Sequence, residues 1–146
     1  MNDNLQDLLE HQLTNLQSLY FIMEKECEFL NQHPTPTNQL QELLEKKRVL
    51  INIIENNEKK RFHIEQNFNI QEPYQENTVL HNLWCSIKKI TVSLKNQNSQ
   101  NNKILKCYME FNHQQINLMR KYHSQSTYSA NGLEKPDTLL GKNFSI

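Results

Sequence analysis

The stretch from Thr78 to Tyr122 constrains the fold of this chain more than any other. Leu80, Leu83, Ile87, Ile90, Leu94, Gln97, Asn101, Ile104, Tyr108, Phe111, Gln115, Leu118 and Tyr122 follow one another at alternating steps of three and four residues. That is the seam of a helix packed lengthwise on partner helices. Neither Gly nor Pro interrupts it, and at about 1.5 Å per residue the helix would be roughly 65 Å long. The other segments are shorter and are expected to pack against it. Lys95–Lys103 (KNQNSQNNK) is a polar run in its middle. One reading makes this a loop that splits the helix and gives a four-helix bundle. The other makes it a polar layer inside one continuous helix, where buried amides fix register. The seam keeps its phase across the run, which a loop has no reason to preserve, so a continuous helix is favoured.

Gly and Pro place the remaining boundaries. The only glycines are Gly132 and Gly141, and the prolines are Pro34, Pro36, Pro73 and Pro136. A first helix is predicted over about 3–31, capped by Asn2 or Asp3, with Leu9, Leu13, Leu16, Tyr20, Met23, Cys27 and Leu30 as its seam. Leu5, Leu8, Leu19 and Ile22 widen that stripe, as in a helix with two neighbours. Pro34–Thr37 is a short hairpin connection, with Thr35 or Thr37 as the next cap. A second helix follows over about 37–66 on Leu40, Leu43, Leu44, Leu50, Ile51, Ile54, Phe62 and Ile64. Residues 66–77 connect to the third helix, which is expected from about 76 to 122; Phe68, Ile70 and Tyr74 in that connection would cover the end of the bundle. The fold expected is all-α, an elongated antiparallel three-helix bundle over 1–123 with a flexible C-terminal tail over 124–146.

Composition agrees with an elongated bundle. Hydrophobic residues are 36% of the 146, and mean hydropathy is −0.80, enough for one apolar stripe per helix but poor for a compact globule. Sixteen basic and sixteen acidic residues balance, which argues against nucleic acid as a partner. The basic triples Lys46-Lys47-Arg48 and Lys59-Lys60-Arg61 sit among glutamates and read as solvated helix faces. No apolar run approaches the roughly 20 residues of a membrane span. MNDNLQDLLEH lacks the pattern of a signal peptide, so a cytoplasmic location without membrane insertion is expected.

Catalytic chemistry finds no footing. Cys27, Cys85 and Cys107 have no metal spacing, and Cys27 is expected in the core. The histidines form no HExxH pair, two glycines cannot build a phosphate cradle, and no serine stands in a nucleophile elbow. The reading is a non-enzymatic protein with no catalytic, metal or cofactor residues. The unequal lengths of the helices suggest what it does instead. Helices of about 30 residues span roughly 45 Å, some 20 Å less than the third. Ile104, Leu105, Tyr108, Phe111, Ile116, Leu118, Met119 and Tyr122 therefore make a richer stripe than the first two helices can cover. An uncovered apolar stripe on a helix suits helix-in-groove binding of another protein.

Several segments in order resemble the FlgN family of flagellar type III export chaperones. They are Glu24-Lys25-Glu26 before Leu30, Lys47-Arg48-Val49-Leu50, Glu58-Lys59-Lys60-Arg61, Leu83-Trp84, the run Leu94, Asn98, Asn101, Ile104, and Thr127–Gly132 (TYSANG). Asn101-Asn102 departs from the family's pattern, and Leu139–Ile146 has no counterpart in it. The resemblance implies a cytosolic chaperone that binds the C-terminal helical segments of the hook-associated (hook–filament junction) proteins, prevents premature assembly and delivers them to the type III export gate. It implies the cytosolic domain of the gate membrane protein as second partner, docked through Tyr128, and no cofactor. A structural or adaptor coiled coil with no export role is the alternative.

Overall fold

In the computed structural model, which describes residues 2–122, the chain forms three helices: α1 Asn2–Leu30, α2 Thr37–Phe68 and α3 Thr78–Tyr122. The tail expected over 124–146, and Tyr128 within it, lie outside the described residues. The all-α bundle is the architecture observed. There is no strand among the described residues, and α3 runs unbroken for 45 residues through Lys95–Lys103.

Local chemistry sets the helix ends. Pro34 disfavours helical geometry at His33, and α1 stops short of it at Leu30. α2 ends on Asn69 in the left-handed conformation (φ 51°, ψ 41°), and the N–H groups of Asn69 and Ile70 both donate to the Glu65 carbonyl. Asn tolerates that conformation better than most residues with a Cβ. The Asn77 side-chain oxygen accepts from the N–H groups of Val79 (3.0 Å) and Leu80 (3.2 Å). That cap moves the start of α3 from the expected 76 to 78. At α2 the expected caps fail: the Thr35 hydroxyl donates back to the Gln32 carbonyl, and Pro36 holds the cap position with no side-chain bond.

The long helix is not the hub. Both other helices pack along α1, while α2 and α3 scarcely touch along their lengths. α2 runs antiparallel to α1, with Gln12 Nε2 donating to the Ile54 carbonyl and Lys47 Nζ to Glu26. α3 runs parallel to α1: Asn101 Nδ2 donates to the Met23 carbonyl at 2.9 Å, and Leu105 packs with Leu30. Two of the four buried positions of α2 are Lys47 and Arg61.

The two-neighbour role of α1 also shifts the seams. Its buried line is Leu5, Leu9, Gln12, Leu16, Leu19, Met23, Glu26 and Leu30. Leu13 and Tyr20 only flank it, and Cys27, expected in the core, is half-buried. On α3 the line is Leu80, Trp84, Ile87, Thr91, Leu94, Asn98, Asn101 and Leu105, with Leu83, Ile90, Gln97 and Ile104 half-buried beside it. Because α1 faces two partners it buries the bisector of its apolar stripe, so its buried line falls one residue from the most apolar one. Phe62, placed on the second stripe by its spacing, is exposed.

Each basic triple read as a solvated face contributes one buried cation. Lys47 and Glu26 form a salt bridge at 2.8 Å with both side chains fully buried. Burial pushes the Glu26 carboxyl above its ordinary range, and Lys47 and the Asn101 side chain pull it down without overcoming that. Contributions from all three helices thus make a polar layer between the main core and a small distal cluster of Leu30 and Leu105 with Leu40, Leu44, Ile104, Tyr108 and Met109. At the opposite end Arg61 Nε donates to Glu58 at 3.1 Å, Nη1 donates to the Tyr74 hydroxyl at 3.3 Å, and that hydroxyl donates to Glu65. The Arg61 guanidinium lies 4.5 Å from the Trp84 ring centroid, and Tyr74 meets Trp84 edge-on at 5.8 Å. Burial opposes the Arg61 charge, but Glu58, Tyr74 and Glu65 outweigh it and raise its pKa. Burial and the bond to Glu65 raise the Tyr74 pKa against the pull of Arg61. Tyr74 is held at φ 58°, an uncommon conformation for so bulky a residue, with its ring buried. It covers the bundle end as its sequence position suggested; Ile70 packs beside it, while Phe68 is exposed.

Candidate functional site

The register of α3 against α1 builds the site. Asn101 is level with Met23 and Leu105 with Leu30, so α3 passes the end of α1 with many residues in hand. Leu40 and Leu44, in the first turns of α2, and Tyr108 and Met109 of α3 all pack around Leu30 and Leu105. Residues 110–122 continue alone, roughly 20 Å of helix at 1.5 Å per residue. Nothing in that stretch breaks a helix, and Arg120 and Lys121 in the last turn favour its C-terminal dipole.

The eight residues expected to bind a partner divide into three groups. Leu105 is 8% exposed and belongs to the distal core; Ile104 and Tyr108 pack half-buried against the same cluster. Phe111 (57% exposed), Leu118 (47%) and Met119 (60%) stand open, and Ile116 is half-buried beside them. The side chain of Tyr122 lies outside the described residues. Phe111 and Leu118 are seven residues apart, two helical turns on one face, and Met119 broadens that face by one position. Phe111 also borders a cleft of about 360 Å³ lined by Leu30, Asn31, His33, Lys103, Ile104, Cys107 and Tyr108. The cleft and the open face make one apolar surface, walled by the end of α1 and the 31–36 connection. The sequence reading missed His33 and Cys107. Cys107, three residues after Ile104 and four before Phe111, was legible as a neighbour of the stripe.

Other groups with chemical potential are tied up structurally. His81 Nδ1 lies 2.7 Å from the Pro73 carbonyl, and its Nε2 is 3.5 Å from Cys85 Sγ, a pairing along one helix face. No group of three or more His, Cys, Asp or Glu able to hold a metal occurs among the described residues. None of the described helices is long and apolar enough to cross a membrane. What the site offers is a rigid helix face with exposed aromatic, aliphatic and thioether side chains, suited to another helix.

A family model described as FlgN protein matches residues 1–136. The chain is 27% identical to Flagella synthesis protein FlgN of Proteus mirabilis over 146 residues, the full length of both. It is 29% identical to the protein of that name from Yersinia enterocolitica serotype O:8 / biotype 1B over 144 residues, 99% of this chain and 98% of that one. With the Putative flagella synthesis protein FlgN of Buchnera aphidicola subsp. Acyrthosiphon pisum it shares 28% over 130 residues, 89% of this chain and 96% of the relative. No solved structure matches the chain.

Proposed function

The chain belongs to the FlgN family, with a role in flagellum assembly, and on that premise we propose that it is an export chaperone whose client lies on the overhang of α3. The clients are the C-terminal helical segments of hook-associated proteins, which the chaperone keeps from premature assembly and delivers from the cytoplasm to the export gate. The observation that carries this reading is the apolar face of Phe111, Leu118 and Met119 beyond the reach of α1 and α2. Burying such side chains from water gains at most about 1.5–3 kcal/mol each, so this face offers a client helix binding energy that needs no enzyme chemistry. Ile104 and Tyr108 form the floor where the strip enters the cleft, while Leu105 supports them from beneath. Tyr128, six residues past α3, is the proposed contact with the gate's cytosolic domain.

Co-purification with the C-terminal segment of a hook-associated protein, with light scattering for stoichiometry, tests the assignment. A discrete complex is expected, lost in Phe111→Ser/Leu118→Ser while helicity is kept. Tyr128→Ala should spare that complex and weaken binding to the gate domain. No complex, with a homodimer that grows with concentration, would instead mark a structural coiled coil.

A further inference from the structure

The balanced net charge conceals a separation by helix. α1 carries six acidic residues and one basic, α3 carries seven basic and one acidic, and α2 is close to even with six basic and five acidic. Because α1 and α3 pack lengthwise, charges so divided could have served the fold as ion pairs between them. The lysines of α3 do not serve it that way. Lys88, Lys89, Lys95, Lys103, Lys106 and Lys121 are all exposed, and none takes part in a salt bridge among the described residues. Only Lys88 has a described side-chain contact, 4.8 Å from the Trp84 ring centroid.

These lysines share one side of α3. Asn101 marks the side turned to α1, through its bond to the Met23 carbonyl. At about 100° per residue, all six lysines stand about 120° or more around the helix from Asn101. They form a row roughly 50 Å long from Lys88 to Lys121. Glu110 is the one acidic residue of α3, on the same side as the row, and α2, being nearly even, cannot cancel the excess. The acidic helix α1 lies on the opposite side of α3. The basic row therefore faces outward with its charge uncompensated.

We infer that this face of α3 rests on an anionic membrane surface, its lysines against the phosphates of lipid headgroups and no part of the chain entering the bilayer. A straight row on one rigid helix matches a flat sheet of anions. The phosphates of a nucleic-acid duplex wind away from such a row after a few contacts. Val92, Asn96, Ser99 and Asn117 stand between the lysines, and no aromatic ring is placed there for a base to stack on. Lysine is a compact point charge suited to many loosely placed phosphates. Each lysine close to an anionic bilayer strengthens attachment about five-fold, so three of the six engaged at once give about a hundred-fold. The inference is independent of the client reading, since Phe111, Leu118 and Met119 take no part in the row. Lys103 borders the client cleft and is left intact in the test.

The test mixes the full chain with vesicles of phosphatidylcholine alone, or of three parts phosphatidylcholine to one part phosphatidylglycerol, and reads the bound fraction by sedimentation. Binding to the anionic vesicles is expected to be at least ten-fold tighter and to weaken as salt rises. Lys95→Glu/Lys106→Glu, at exposed positions, should weaken it ten-fold or more with helicity and melting temperature unchanged. Lys46→Glu/Lys60→Glu, the same change of net charge placed on α2, should weaken it far less, and Phe111→Ser/Leu118→Ser should leave it unchanged. Equal binding to the two vesicles, no binding to either, or wild-type binding by Lys95→Glu/Lys106→Glu would overturn the inference. So would an equal loss in the α2 variant, which would trace the effect to net charge and not to this face, or a loss in the overhang variant, which would trace it to apolar insertion. Tighter binding to a DNA or RNA duplex than to the anionic vesicles at equal phosphate concentration would give the face to nucleic acid and overturn it as well.

Discussion

At the end closed by the 69–77 connection, Arg61 is shared among Glu58, Glu65 and Tyr74 and lies over Trp84, with Tyr74 edge-on to the same ring. At the other end two buried leucines, Leu30 and Leu105, hold a cluster of half-buried neighbours, and α3 then leaves the bundle with its apolar face uncovered. The polar layer of Glu26, Lys47 and Asn101 stands between the two ends. One end spends aromatic rings and hydrogen bonds on a closed structure, and the other leaves comparable rings in water. The contrast separates residues that make the fold from residues free to meet a partner.

Removing the anchor should give the largest effect. Trp84→Ala is expected to cost about 3–5 kcal/mol, measured by urea unfolding, because Arg61 and Tyr74 lose the surface they stack on. A loss below about 1 kcal/mol, within the range of an ordinary substitution, would mean that the closed end is no anchor. Next comes the polar layer. Lys47→Met leaves Glu26 buried without its cation, which costs about 3 kcal/mol near neutral pH, and adding Glu26→Leu should restore much of it.

The same pair predicts a pH dependence. The folded state raises the Glu26 pKa above its ordinary 4.5, so in that window it binds more protons than the unfolded chain. Stability should therefore fall as pH rises from 4.5 through the folded value. Glu26→Gln should flatten that slope, and an unchanged slope in the variant would assign it to other groups.

Leu105→Ala should follow at about 2 kcal/mol, the low end for a core leucine because its cluster is small and can collapse. Hydrogen exchange should quicken beyond Asn101 while the Leu80–Leu94 segment stays protected. Equal quickening along the whole of α3 would show that the polar layer does not divide the bundle. The smallest effect belongs to Phe111→Ser, within about 0.5 kcal/mol of wild type. A clear loss of stability there would mean that the ring is already covered.

The sequence made most of this contrast legible, and its omissions have a common cause. Helix extents, the continuity of α3 and the overhang follow from unbroken period and punctuation, which are local signals. The buried line falls one residue from the expected seam at Leu13 and Cys27 of α1, because which of two adjacent residues faces inward depends on how two partners sit around a helix, and at Leu83 and Ile104 of α3, where the facing line is set by how α3 sits on α1. Lys47 and Arg61 were hidden in triples that look solvated. They are nonetheless in phase with Ile51 and Ile54, and Glu26 is in phase with Met23 and Leu30. That register was the available signal, and it needed the partner charge 21 residues away to be interpreted.

An odd number of helices has a practical consequence for handling this protein. α1 starts beside the closed end, and α3 finishes at the free tip, so the two sides of the described chain are separated by the length of α3, roughly 65 Å. An affinity tag or fluorophore ahead of Asn2 hangs where nothing is proposed to bind. The same label joined beyond Tyr122 is tethered at the open face, where it competes with the partner being assayed.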